Sequence, residues 1–240
     1  MRTLVVVPTY NEAENIVRFL HAVRDAAPQA DILVVDDNSP DGTGALADEA
    51  AAELGRVTVL HRAGKAGLGA AYRHGFQVAF DEGYEVIVSM DSDFSHDPNV
   101  IPTMVGLVQG GADAVIGSRY VEGGGTVDWP THRRLLSRWG NRYTGFVLRM
   151  KVRDCTSGFR AYRASALQAA DPGATTAEGY AFLTELVRRL ARHGSTIVET
   201  PITFRDREKG VSKMSGRIVA ESMLLVTRWG VRDVFHRDPK

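Results

Sequence analysis

Short β-branched runs recur through the first half of the chain, each followed by a helical pattern and several ending in a polar cluster. Leu4–Val7, Ile32–Val35, Val57–Leu60, Val86–Met90 and Ala114–Ile116 have the length and branching of buried strands. Between the first two, Glu12–Ala26 carries Ile16, Phe19, Leu20 and Val23 on one helical face. Further helices are predicted to about Leu54, over Ala70–Phe80 and over Val100–Val108. Parallel strands need crossover connections, so this alternation leaves few architectures. It predicts an α/β chain with a mostly parallel sheet covered by helices on both faces. After residue 131 the pattern turns mainly helical, with one more strand predicted over Thr196–Phe204.

A chain of 240 residues supports one large core rather than two small ones. Its 44% hydrophobic and 24% charged residues suit an ordinary globular protein. Cys155 is the only cysteine, which excludes an intramolecular disulfide and fits a reducing compartment. The opening Arg2-Thr3-Leu4-Val5-Val6-Val7 lacks the layout of a signal peptide. No apolar stretch approaches the ~20 residues needed to span a bilayer. The expectation is a chain that is soluble or lies on a membrane without crossing it.

Net charge is zero but unevenly spread. Residues 1–60 hold four Arg against ten Asp and Glu, whereas 131–163 hold nine Arg or Lys against Asp154 alone. That local excess predicts a phosphate-rich partner. No nucleic-acid-binding motif accompanies it, so an anionic lipid surface or lipid phosphate is expected rather than nucleic acid. Over Met214–Phe235, Met214, Ile218, Leu225 and Trp229 recur at helical spacing, interrupted by Arg217, Arg228 and Arg232. This reads first as a helix packed on its own domain, with an interfacial helix as the alternative.

The strand Val86–Met90 delivers Asp91-Ser92-Asp93 to its C-terminal end, where open α/β sheets bind ligands. Two such hard oxygen donors suit Mg²⁺ or Mn²⁺ bridging to phosphate. Asp36-Asp37 ends the second strand, where a ribose or base contact belongs in this architecture. The first strand runs into Pro8-Thr9-Tyr10-Asn11-Glu12 without glycine, which argues against a dinucleotide fingerprint. Gly64-Lys65-Ala66-Gly67-Leu68-Gly69 reads either as an anion-facing helix start or as a flexible helix entry. Arg119 closes the Ala114–Ile116 strand region and can bind phosphate bidentately.

These segments, with Val35-Asp36-Asp37-Asn38-Ser39-Pro40-Asp41-Gly42-Thr43, Asp91-Ser92-Asp93-Phe94-Ser95-His96, Gly117-Ser118-Arg119-Tyr120, Thr156-Ser157-Gly158-Phe159-Arg160 and Arg207-Glu208-Lys209-Gly210-Val211-Ser212-Lys213-Met214, occur in one order. Together they resemble the inverting GT-A-fold glycosyltransferases of family 2, in particular polyprenol-phosphate (dolichol-phosphate) mannose synthases. The resemblance covers nearly the whole chain. It implies a GT-A-type, Rossmann-like domain over 1–213 and a C-terminal amphipathic helix and tail over 214–240. It implies transfer of mannose from GDP-mannose to a polyprenyl monophosphate, supported by Mg²⁺ or Mn²⁺. Pro8, Tyr10, Glu12, Val35 and Asp37 would hold the nucleoside, and Asp91, Ser92 and Asp93 the diphosphate. Asp91 and Asp93 would be the metal ligands, with Ser95 standing where some relatives carry an extra Gln ligand. Arg119, Arg207 and Lys213 would bind donor phosphates, with Asp93, Arg119 and Arg207 serving catalysis, and Arg133 and Ser137 would meet the acceptor phosphate. Such an enzyme is expected at the cytoplasmic face of a membrane, brought there by its tail helix or by a membrane-anchored partner. The rivals are a glycosyl transfer from a UDP-sugar on the same fold, a nucleotidyltransferase, and a non-catalytic nucleotide-sugar-binding subunit. A missing Gly-rich N-terminal loop disfavours the second, and an intact carboxylate pair the third.

Overall fold

The computed structural model describes residues 1–206 and 216–235, excluding the side chains of 180, 216–220 and 235. Strands β1 (Thr3–Thr9), β2 (Asp31–Asp36), β3 (Val57–His61) and β4 (Val86–Ser89) run parallel, linked by helices α1 (Ile16–Ala26), α2 (Thr43–Leu54) and α3 (Leu68–Asp81). Helix α4 (Ile101–Gln109) leads to β5 (Ala114–Ser118), and a short β6 (Gly125–Thr126) precedes α5 (Thr131–Val147). Then follow β7 (Arg160–Arg163), α6 (Ala164–Ala169), α7 (Gly179–Arg192), β8 (Ile197–Pro201), β9 (Thr203–Phe204) and α8 (Gly216–Phe235). The main sheet has the order β3-β2-β1-β4-β7-β5-β8, while β6 and β9 pair separately. Its strands are parallel except β7, which lies antiparallel between β4 and β5.

Alternate residues of each strand enter opposite core layers, as the period of two requires. Val5, Val7 and Val88 pack with Ile16, Phe19, Leu20 and Met104 of α1 and α4. Leu4, Val6, Leu33 and Ile87 pack on the other face with Tyr72, Phe76 and Phe182 of α3 and α7. Burial on both faces explains why these strands read as unbroken apolar runs. A third cluster joins Ile116, Leu148, Val152 and Val187 to Val226 of α8, with Tyr143 and Trp229 at its edge. The tail helix is therefore packed on its own domain. Its expected residues Met214, Arg217, Ile218 and Val219 lie outside what is described, in position or in side chain.

The structure corrects three expectations. β7 is a strand where helix was predicted, and Thr196–Phe204 breaks into β8 and β9 at Ile202. Ile202 turns into the core, where it lies against the bare backbone of Gly117. The basic stretch also disperses. Arg160 is fully buried and donates to the carbonyls of Ser157, Leu183 and Cys155, while Arg163 pairs with Asp113 near the strands' other end.

Candidate active site

The polar ends of β1, β2, β4 and β5 converge on two adjoining cavities. The larger, about 520 Å³, is lined by Pro8, Tyr10, Glu12, Asp37, Asp91, Ser92 and Asp93, together with Lys65, Glu178 and Glu221. The smaller, about 180 Å³, is lined by Arg119, Arg133, Ser137, Ser95 and His96 among others. Asp91, Asp93 and Ser222 line both. Val35 sits apart, its side chain wholly buried in the α3-side core. Arg207 and Lys213 lie outside the described residues.

Hydrogen bonding fixes the first cavity's rim. Asp41 accepts from Ala13 N (3.1 Å), Thr43 N (3.1 Å) and Thr43 Oγ1 (2.6 Å), tying the turn after β2 to the turn after β1. Burial raises its pKa, but these hydrogen bonds outweigh that and hold the carboxyl below its usual range. Asp36 accepts from Thr9 Oγ1 and from Ser39, so the first of the paired carboxylates braces the turns while the second faces the cavity. Asp37 accepts from Arg62 and from Ala66 N (3.2 Å). Lys65 lies 3.9 Å above the Tyr10 ring, making the Gly64–Gly69 segment a wall of this cavity.

The two shared carboxylates are held from opposite sides. Tyr72 Oη donates to Asp91 Oδ1 at 3.4 Å, and Ser95 N donates to Asp93 Oδ1 at 3.0 Å. Burial, then the Asp91 charge, pushes the Tyr72 phenol well above its ordinary pKa, so it remains a donor. Gly158 leaves the space beside Asp91 open, since a Cβ there would stand 3.3 Å from Asp91 Oδ2. Paired carboxylate oxygens on a polar wall with room beside them fit a hard divalent cation. Among the described residues no three His, Cys, Asp or Glu side chains converge as a metal cage. Phosphate and water would have to supply the remaining ligands.

Arg119 is the best-anchored cation in the second cavity. Its Nε and Nη2 donate to Asp154 at 2.7 and 2.6 Å, its backbone N to the same carboxylate at 3.0 Å, and Nη2 also to Thr156 Oγ1 at 2.7 Å. Burial raises the Asp154 pKa, but the Arg119 charge and its hydrogen bonds reverse this and hold it low. Arg133 reaches Asp206 at 2.8 Å, and Tyr120 Oη donates to Ser137 Oγ at 2.6 Å. Arg119, expected at the donor phosphates, thus belongs to the wall that Arg133 and Ser137 share. His96 is buried between Phe159 and Phe204, each 5.3 Å away, and its Nδ1 has no hydrogen-bond partner among the described residues. Burial pushes its pKa down to about 4, so the ring is neutral. Sequence reading did not assign roles to Lys65, Tyr72, His96 or Asp154. Lys65 and His96 stood inside segments already singled out, and Asp154 carried a signal as the lone acid among nine bases, whereas Tyr72 carried none.

The model of Glycosyl transferase family 2 matches residues 4–170. The chain belongs to that family. This glycosyltransferase is 51% identical over 231 residues to an undecaprenyl-phosphate mannosyltransferase of Micrococcus luteus, covering 96% of the chain and 95% of that relative. It is 50% identical over 232 residues to a polyprenol monophosphomannose synthase of Mycolicibacterium smegmatis, covering 96% and 88%. Its fold superposes with a TM-score of 0.67 on a mannosyltransferase of Pyrobaculum calidifontis solved with GDP-Man and Mn²⁺. That match covers all of this chain and 65% of the other at 18% identity. The mostly parallel sheet flanked by helices is the GT-A type.

Proposed function

We propose that this glycosyltransferase moves mannose from GDP-mannose to the phosphate of a polyprenyl monophosphate, with inversion at the anomeric carbon. The observation that carries the reading is the meeting of two cavities at Asp91 and Asp93, one lined for a nucleotide and one by arginines. The names of the two half-identical relatives support the sugar and the acceptor. Pro8, Tyr10, Glu12 and Asp37 hold the nucleoside, with Val35 supporting them from the core, and Asp91-Ser92-Asp93 meets the diphosphate. Arg207 and Lys213 are assigned to the donor phosphates on sequence grounds. Asp91 and Asp93 would hold Mg²⁺ or Mn²⁺, which when bound offsets charge on the departing diphosphate.

Acceptor phosphate enters the second cavity, where Arg119, Arg133 and Ser137 orient it. One of its oxygens attacks the anomeric carbon as the bond to the diphosphate oxygen breaks, and that electron pair leaves with GDP. A phosphate monoester has a second pKa of ~6 and arrives largely deprotonated, so no strong general base is required. Asp154 holds the Arg119 guanidinium in place before substrate arrives, which is how preorganised charge lowers a barrier. The enzyme works as a peripheral protein at the cytoplasmic face of a membrane. The glycosyltransferase domain is assigned to 1–213 and the amphipathic helix and tail to 214–240, with Glu221, Ser222 and Leu225 of that helix on the wall of the donor cavity.

The deciding assay follows radiolabelled sugar into a chloroform-soluble product, using GDP-mannose, UDP-glucose or UDP-GlcNAc, a polyprenyl phosphate, and Mn²⁺ or EDTA. Metal-dependent labelling from GDP-mannose alone is expected. Labelling only from a UDP-sugar would overturn the donor, and no labelled lipid from any donor would overturn the reaction.

A further inference from the structure

Tyr72 of α3 is fully buried, its ring stacked on Phe76 at 5.6 Å and on Phe182 of α7 at 6.1 Å, with interplanar angles of 19° and 8°. A phenylalanine would keep both ring contacts without burying a hydroxyl. Taking a hydroxyl out of water is costly unless it is bonded, and Tyr72 Oη donates to Asp91 Oδ1 at 3.4 Å. On the other side of that carboxylate, Gly158 borders Oδ2 with bare backbone. The Gly158 carbonyl accepts from Ser89 Oγ at 3.0 Å, so the end of β4 that delivers Asp91 also holds the wall beside it. Asp91 thus stands in a slot, with a phenol from α3 on one oxygen and main chain beside the other.

We infer that Tyr72 is a positioning residue for the divalent cation, its hydroxyl setting the angle at which Asp91 presents its carboxylate to the metal. The terminal torsion of an aspartate is broad, so a carboxylate at a strand end turns unless something holds it. A donor fixed by two stacked rings holds one oxygen and leaves the Oδ2 side, next to Gly158, for the cation. The first turn of α3 also supplies Leu68 and Ala71 to the donor cavity, so one helix borders the nucleotide and orients a metal ligand. The same core contains a control. Tyr162 of β7 is fully buried, lies edge-on to Phe76 at 5.9 Å, and has a hydroxyl without a hydrogen-bond partner among the described residues. The inference rests on the assignment of Asp91 to the metal made above.

The test titrates the full chain with Mn²⁺ in the presence of GDP and follows free Mn²⁺ by its electron paramagnetic resonance signal. Tyr72→Phe should weaken Mn²⁺ binding roughly 10–100-fold, the usual cost of removing a group that orients a metal ligand. Its affinity for GDP in EDTA should stay at the wild-type level. Turnover of Tyr72→Phe should recover at saturating Mn²⁺, which locates the defect in metal affinity. Tyr162→Phe removes an equally buried hydroxyl that makes no bond to Asp91, and should bind Mn²⁺ as the wild type does. A Tyr72→Phe chain with a lowered urea midpoint in EDTA and unaltered Mn²⁺ affinity would reduce the hydroxyl to a structural bond and overturn the inference. Equal losses of Mn²⁺ affinity in the two variants would overturn it as well. Wild-type protein that takes up no Mn²⁺ with GDP would instead remove Asp91 from metal binding, and the role of Tyr72 with it.

Discussion

Phe94 has φ 58°, a left-handed conformation that a bulky side chain rarely adopts, directly after Asp93. Its ring is anchored edge-on to Phe19 at 5.6 Å and beneath Arg18 at 4.4 Å, so local strain is stored beside the reacting groups. That turn lets Ser95 N hold Asp93 Oδ1 while Asp93 remains on both cavity walls. Asp93→Asn keeps the shape but removes charge, and should lower turnover roughly 10²–10⁴-fold in a metal-titrated assay. Near-normal turnover would remove Asp93 from the site. Asp154→Asn leaves the Arg119 charge buried without a full counter-charge, which costs about 3–5 kcal/mol. Urea unfolding would read that loss, and an unchanged midpoint would refute it. His96 makes a prediction about acid. Its folded pKa, about 4, lies below the ordinary value near 6.5, so the unfolded chain takes up the proton first as pH falls. The stability it contributes is complete above about pH 6.5 and is lost towards about pH 4, amounting to a few kcal/mol. Melting of EDTA-treated protein across that range should show the loss, and His96→Gln should flatten it.

At the scale of elements, α3 seats against the sheet through Gly75, where an added Cβ would stand 2.4 Å from Val6 Cγ1. Gly75→Ala should therefore destabilise by about 1–3 kcal/mol despite the better helix propensity of alanine. Combining it with Val6→Ala should cost less than the sum of the two, which a double-mutant cycle in urea would measure. The parallel half of the sheet was legible because β1, β2 and β4 are buried on both faces and had to be apolar throughout. β7 was not, since it has four residues with arginine at each end and keeps Arg160 buried by giving its donors to carbonyls. The site divided along the same line. Tyr10, Glu12, Asp37, Asp91 and Asp93 follow strands whose pattern announces them, and they gather on one cavity. Asp154 and Thr156 reach Arg119 only because β7 runs backwards and brings the chain before it to the strand ends. No local spacing encodes that pairing across 35 residues.

For the whole molecule, the basic excess over 131–163 is not one patch but three uses of charge: a structural arginine inside, a cavity wall, and an outer helical face. Ligand binding should register globally as well. GDP with Mn²⁺ at a hundredfold above its Kd should stabilise the fold by about 2.7 kcal/mol. EDTA should remove part of that shift, and the Asp91→Asn, Asp93→Asn double variant should lack the metal-dependent part. A shift that ignores metal in the wild type would refute the assignment of these carboxylates. Helix α8 sets the order in which such an enzyme can come into being. Its residues close both cavities, yet they are synthesised after every strand of the sheet. A nascent or clipped chain ending before them has neither a complete donor site nor a complete acceptor site. It therefore has no half-active form that could bind activated sugar and release it to water.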